Sequence, residues 1–61
     1  AGLSWKTVLQ FTLGLAYVFR QEWDNAEQEL QRSLKLAEDI GAAEYRLLSL
    51  TYLTVTYRQL G

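Results

Sequence analysis

The sequence EWDNAEQELQRSLKLAEDI, residues 22–40, has the repeating pattern of an amphipathic helix. Its apolar residues recur at steps of three and four, and such steps place them on one face of an α-helix. These apolar positions are Trp23, Ala26, Leu30, Leu34 and Ala37. Asp24 and Glu27 put negative charge near the start, where the helix dipole favours it, and their spacing resembles a capping box. We therefore predict a helix over residues 22–40 with one apolar face.

The segments on either side are also predicted to be helical, and both are apolar on more than one face. Residues 3–21 form the first helix, with Ser4 as its N-cap. Residues 42–60 form the third, and Gly41 stands before it at a position typical of a helix C-terminus. Two stripes recur at helical spacing in this third segment: Tyr45, Leu48, Tyr52 and Val55, and then Leu50, Leu53, Tyr57 and Leu60. A strand over residues 50–57 is the alternative, because β-branched and aromatic residues are abundant there, but it would lack a pairing partner in this chain.

The totals exclude several classes of function. The 61 residues include neither cysteine nor histidine, so disulfides are excluded and the commonest metal ligand and general base is missing. A net charge of −1 is too small to attract nucleic acid or an anionic membrane. The apolar-rich stretch over residues 8–19 is shorter than the roughly 20 residues that span a bilayer. Residues 1–5 show no signal-peptide pattern, and we expect a cytoplasmic protein.

The carboxylates do not indicate an enzyme. Most of them fall on the polar face of the second helix, whereas acid–base catalysis needs a carboxylate in a partly desolvated pocket. Glu29 with Arg32, and Lys35 with Asp39, have the spacing of ordinary surface ion pairs. We expect no catalytic residues, no cofactor and no metal.

A short motif links the first two helices. Leu13, Gly14 and Tyr17 have the spacing L-G-x₂-Y, and Ala26 and Leu30 follow with the spacing A-x₃-F, Leu replacing Phe. This pattern resembles the tetratricopeptide repeat, W-x₂-L-G-x₂-Y, then A-x₃-F, then P. Gln10 and Glu38 stand where that pattern has Trp and Pro.

The resemblance implies a pair of packed helices. Gly14 and Ala26 are small, and we expect them to face each other where the helices approach closely. Leu13 and Tyr17 are expected to pack against the second helix.

Half of the motif recurs 40 residues later, because Leu53 and Tyr57 repeat Leu13 and Tyr17 while Thr54 replaces Gly14. Leu48 likewise corresponds to Val8, and Val55 to Leu15. This period exceeds the usual 34 residues and is similar to that of extended repeats in the sensor arms of bacterial ATP-dependent transcription regulators. The chain thus resembles about one and a half repeats, an all-α fragment of an α-solenoid with three helices in one unit over residues 1–61. Since it begins without Met and stops in mid-pattern, we expect it to be part of a longer protein.

The resemblance also implies a binding surface, because the inner face of such repeats is lined by the first helix of each repeat and holds partner peptides. The corresponding residues are Val8, Phe11, Leu15, Val18, Phe19, Leu48, Thr51 and Val55. The alternative is that this stripe is simply core, since apolar helical stripes usually are.

Three functions remain open at this point. The first is a protein–protein interaction scaffold, the second a structural element for self-association, and the third a sensor-arm fragment of a transcription regulator. In each case the partner is a protein or peptide, not nucleic acid or membrane. Since one and a half repeats leave Tyr45, Leu48, Tyr52 and Val55 without cover, we also expect a homo-oligomer, a dimer or a higher even state. Opening the turn at Gly41 would let two chains exchange their third helices.

Overall fold

The computed structural model describes residues 4–61, and these form three α-helices. Helix α1 spans Trp5–Phe19, α2 spans Trp23–Ile40 and α3 spans Ala43–Leu60. The described residues contain no strand, so the all-α prediction is confirmed and residues 50–57 are helical. The predicted ranges 3–21, 22–40 and 42–60 differ from these bounds by one or two residues at four of the six ends, and Leu3 lies outside the described residues. None of the three helices has the length and apolar character needed to cross a bilayer.

Helix α1 has a side-chain cap at its start and a left-handed residue just after its end. The backbone N–H of Lys6 donates to the Ser4 hydroxyl at 3.1 Å, which confirms Ser4 as the N-cap. Gln21 has φ 60°, and the N–H of Glu22 donates back to the Tyr17 carbonyl at 2.9 Å. This pattern satisfies carbonyls that the helix end leaves free and turns the chain toward α2.

Helix α2 begins one residue later than predicted, and this removes the capping box. Glu22 is the residue at the N-cap, and its side chain makes no capping hydrogen bond. Asp24 lies inside the first turn, so the predicted capping box of Asp24 and Glu27 is wrong. At the other end Gly41 adopts φ 73°, which confirms its role as the terminating glycine.

The core lies along α2, which packs against α1 on one side and α3 on the other. Its buried apolar members are Phe11, Val18, Ala26, Leu30 and Leu53, and the half-buried Leu15, Tyr17, Trp23, Leu34, Tyr45 and Tyr52 pack around them. The middle helix therefore supplies the surface that joins the other two.

Gly14 is the point of closest approach between α1 and α2. A β-carbon at this position would lie 2.7 Å from Leu30 Cδ2 and 2.8 Å from Leu30 Cγ. The close contact predicted for Gly14 is present, but its nearest neighbour is Leu30, and the expected pairing with Ala26 is wrong. Ala26 is fully buried elsewhere along the same face of α2.

Small polar residues are buried between the helices, and the sequence pattern did not predict this. Thr7, Ser33, Ser49 and Thr56 are all fully buried. The hydroxyls of Ser33 and Ser49 lie 2.9 Å apart across the α2–α3 interface, and the Thr56 hydroxyl donates to the Tyr52 carbonyl at 2.8 Å. Hydrogen bonding within the interior offsets the cost of burying such groups.

Candidate interaction surfaces

The predicted inner-face residues divide into core and surface. Phe11 and Val18 are each only 8% exposed and belong to the core of this chain. The Phe11 ring contacts Tyr45 edge-on, with 5.6 Å between ring centroids, and Tyr52 at 5.8 Å. Tyr45 and Tyr52 are thus half-buried against α1, and the expectation that both lack cover is wrong.

The other inner-face residues remain accessible, and we call them the inner strip: Val8, Leu15, Phe19, Leu48, Thr51 and Val55. Val8 and Leu15 are half-buried, and the remaining four are exposed, Phe19 most of all at 75%. The Thr51 hydroxyl donates to the Leu47 carbonyl at 2.8 Å, so its hydrogen-bonding capacity is used within α3. The inner strip is therefore an apolar surface shared by α1 and α3.

A second apolar surface, the α1 outer face, consists of Trp5, Leu9, Leu13 and Ala16. All four are exposed, Trp5 at 69% and Leu9 at 61%. Leu13 was expected to pack against the second helix together with Tyr17; only Tyr17 contacts the core, and the expectation for Leu13 is wrong. A shallow groove runs from this face toward Leu36 of α2. The sequence analysis missed this surface because α1 is apolar on most of its circumference.

A third apolar surface, the α3 open face, consists of Leu47, Leu50 and Thr54. All three side chains are exposed, Leu47 at 59%. Beside them the Gln31 side chain of α2 donates to the Tyr57 hydroxyl at 2.8 Å. This surface lies on the helix that begins the second copy of the motif.

The charged groups lie apart from these apolar surfaces, mostly on α2. Both predicted ion pairs are present: Arg32 with Glu29 at 3.3 Å, and Lys35 with Asp39 at 3.9 Å. Exposed pairs of this kind contribute about 0–1 kcal/mol. Over residues 4–61, no three acidic side chains form a group that could hold a metal ion.

Gln10, which stands at the Trp position of the repeat pattern, has a different role from an aromatic residue. Its side-chain amide donates to the Glu29 backbone carbonyl at 3.2 Å and also to the Glu29 carboxylate. A polar bridge thus joins α1 and α2 where the repeat pattern has a large apolar side chain.

Comparison with known proteins gave no relative. No protein-family model, no curated protein and no solved structure matches this chain. The three packed helices are compatible with a helical repeat, and beyond that the packing itself is the guide to function.

Proposed function

We propose that this chain is a non-catalytic protein–protein interaction module of the tetratricopeptide type. The observation that carries the proposal is the number of large apolar side chains that the fold leaves exposed on α1 and α3. They are Trp5, Leu9, Leu13, Phe19, Leu47, Leu48, Leu50, Val55, Tyr57 and Leu60. Contiguous exposed apolar surface marks a site of interaction with another macromolecule.

The inner strip is the surface we assign to a peptide partner. Leu48 and Val55 of α3 stand 40 residues after Val8 and Leu15 of α1, so the two helices offer equivalent positions. Phe11 joins the helices by its contacts with Tyr45 and Tyr52. An extended or helical apolar peptide fits such a surface better than a polyanion does, since the chain carries a net charge of −1.

Self-association is the second candidate, and the α3 open face favours it. Leu47 and Leu50 are exposed on a helix whose opposite side is already packed on α2. A two-fold dimer covers such a face with the same face of a second copy. We therefore propose a homo-oligomer through α3, which leaves the inner strip of each copy free for a peptide.

Selection of peptides from a random library displayed on phage tests the assignment of the inner strip. Peptides selected on the wild-type protein should lose binding to Leu48→Asp and should keep binding to Leu47→Asp, the adjacent residue on the α3 open face. Circular dichroism of both variants controls for folding. Recovery of no binding peptide, or of peptides that bind Leu48→Asp as well as wild type, would contradict a peptide-binding strip and leave self-association as the function.

A further inference from the structure

Helices α1 and α3 contact α2 through different faces. Helix α1 places Gly14 against Leu30 and bridges Gln10 to Glu29. Helix α3 instead presents Ser49, Leu53 and Thr56, all buried, with the Ser49 hydroxyl 2.9 Å from that of Ser33. The second helix therefore packs against two faces that are not equivalent.

The 40-residue offset shows what these faces correspond to on the other helix. Counting back from Ser49, Leu53 and Thr56 of α3 gives Leu9, Leu13 and Ala16 of α1. Those three residues, with Trp5 opposite Tyr45 in the same count, make up the α1 outer face. The α1 outer face is thus the equivalent of the face by which α3 packs on α2, and it is bare in this chain.

We propose that the α1 outer face docks a further amphipathic helix with the chemistry of α2. Such a helix has an apolar stripe interrupted by small residues, like the fully buried Ala26, Ser33 and Ala37 of α2 itself. The α2 of a second copy cannot fill this role while it stays packed between its own α1 and α3, so the occupant is a separate helix. This surface is distinct from the inner strip, and the inference does not depend on peptide binding there.

The side chains of the α1 outer face also specify how the docked helix differs from α2. Leu9 stands where α3 has Ser49, so a serine opposite Leu9 loses the hydroxyl partner that Ser33 has. A buried hydroxyl without a partner is unfavourable, and Leu9 is also larger than serine. The docked helix should therefore carry alanine, not serine, at the position that corresponds to Ser33.

A labelled peptide with the sequence of residues 22–41 is the probe, in its native form and with Ser33→Ala. Fluorescence anisotropy with the full chain should show that the Ser33→Ala peptide binds, and roughly fivefold or more tighter than the native peptide, because no hydroxyl is left unpaired. Leu9→Asp in the protein should abolish binding, and Leu9→Gln should weaken it. Leu47→Asp is the matched control, since Leu47 is exposed to 59% and Leu9 to 61%.

Several results would overturn the inference. They are no binding of either peptide, tighter binding of the native peptide, or binding that survives Leu9→Asp. Loss of binding with Leu47→Asp alone would place the peptide on the α3 open face. A dimer of the wild-type protein that Leu9→Asp dissociates, without peptide binding, would show that a second copy covers the α1 outer face.

Discussion

Gly14 determines how closely α1 and α2 can approach. Leu30 is fully buried and occupies the space that any β-carbon at Gly14 would need. In the middle of a helix glycine costs about 1 kcal/mol relative to alanine, so its presence here reflects packing and not helix stability. The sequence motif predicted a close contact at Gly14, but spacing alone does not indicate which residue of α2 lies opposite.

Replacement of Gly14 by alanine should destabilise the protein despite the gain in helix propensity. Overpacking against Leu30 costs about 1–3 kcal/mol, which leaves a net loss of about 1–2 kcal/mol. Urea unfolding at fixed protein concentration measures it. Adding Leu30→Ala to the Gly14→Ala variant should cost less than Leu30→Ala costs in the wild type, because the clash is gone; strictly additive losses would argue against this contact.

The hydrogen bond between Ser33 and Ser49 should show the same non-additivity for a different reason. Either Ser33→Ala or Ser49→Ala leaves the other hydroxyl buried without its partner, which costs about 1–3 kcal/mol. The double variant removes both hydroxyls and should be close to wild type in its free energy of unfolding. Chemical denaturation of the three variants is the measurement, and two neutral single variants would contradict a buried pair.

Among the helices, α2 was the easiest to predict from sequence and α3 the hardest. The alternation of apolar and charged residues in α2 matches a helix with one buried face. Helix α3 packs on α2 through Ser49, Leu53 and Thr56, and the two polar members of that face resemble solvent-exposed residues in a sequence. Neither predicted stripe of α3 matches this face, because hydrophobic periodicity does not detect a seam of small hydroxyl residues.

Two further differences have physical causes of the same kind. Leu13 was assigned to the α2 interface from its place in the motif, but α1 is apolar on most sides and several rotations satisfy its pattern. The inner-face set was predicted from equivalent positions, but Phe11 and Val18 are buried by contacts within the chain, the Tyr45 and Tyr52 rings covering Phe11. Periodicity places residues on a face without indicating which neighbour covers it.

The turn between α2 and α3 depends on the left-handed conformation of Gly41. No other atom lies within 4 Å of the position of a β-carbon there, so Gly41→Ala meets backbone strain alone. That strain costs about 1–2 kcal/mol, and alanine also favours a continuous helix from α2 into α3. We expect Gly41→Ala to raise the fraction of dimers with exchanged third helices, as measured by sedimentation velocity. Gly41→Asn is the control, because asparagine tolerates this conformation, and equal dimer fractions in both variants would exclude the mechanism.

At the scale of the whole molecule, one layer of three helices leaves α1 and α3 each with an uncovered side. The described chain measures 35 × 16 × 13 Å along its principal axes, so few side chains have neighbours in every direction. Burying each large apolar side chain contributes about 1.5–3 kcal/mol, and the exposed ones forfeit most of it. A domain's whole stability is about 5–15 kcal/mol. Association that covers these side chains therefore decides whether the isolated chain is stably folded.

Sedimentation equilibrium across a wide range of protein concentration tests this claim most directly. We predict an average mass above the 7.0 kDa of one chain, rising with concentration, together with a melting temperature that rises in parallel. Leu47→Asp on the α3 open face should shift the equilibrium toward the single chain. A folded species of one chain throughout, with a melting temperature independent of concentration, would contradict the account.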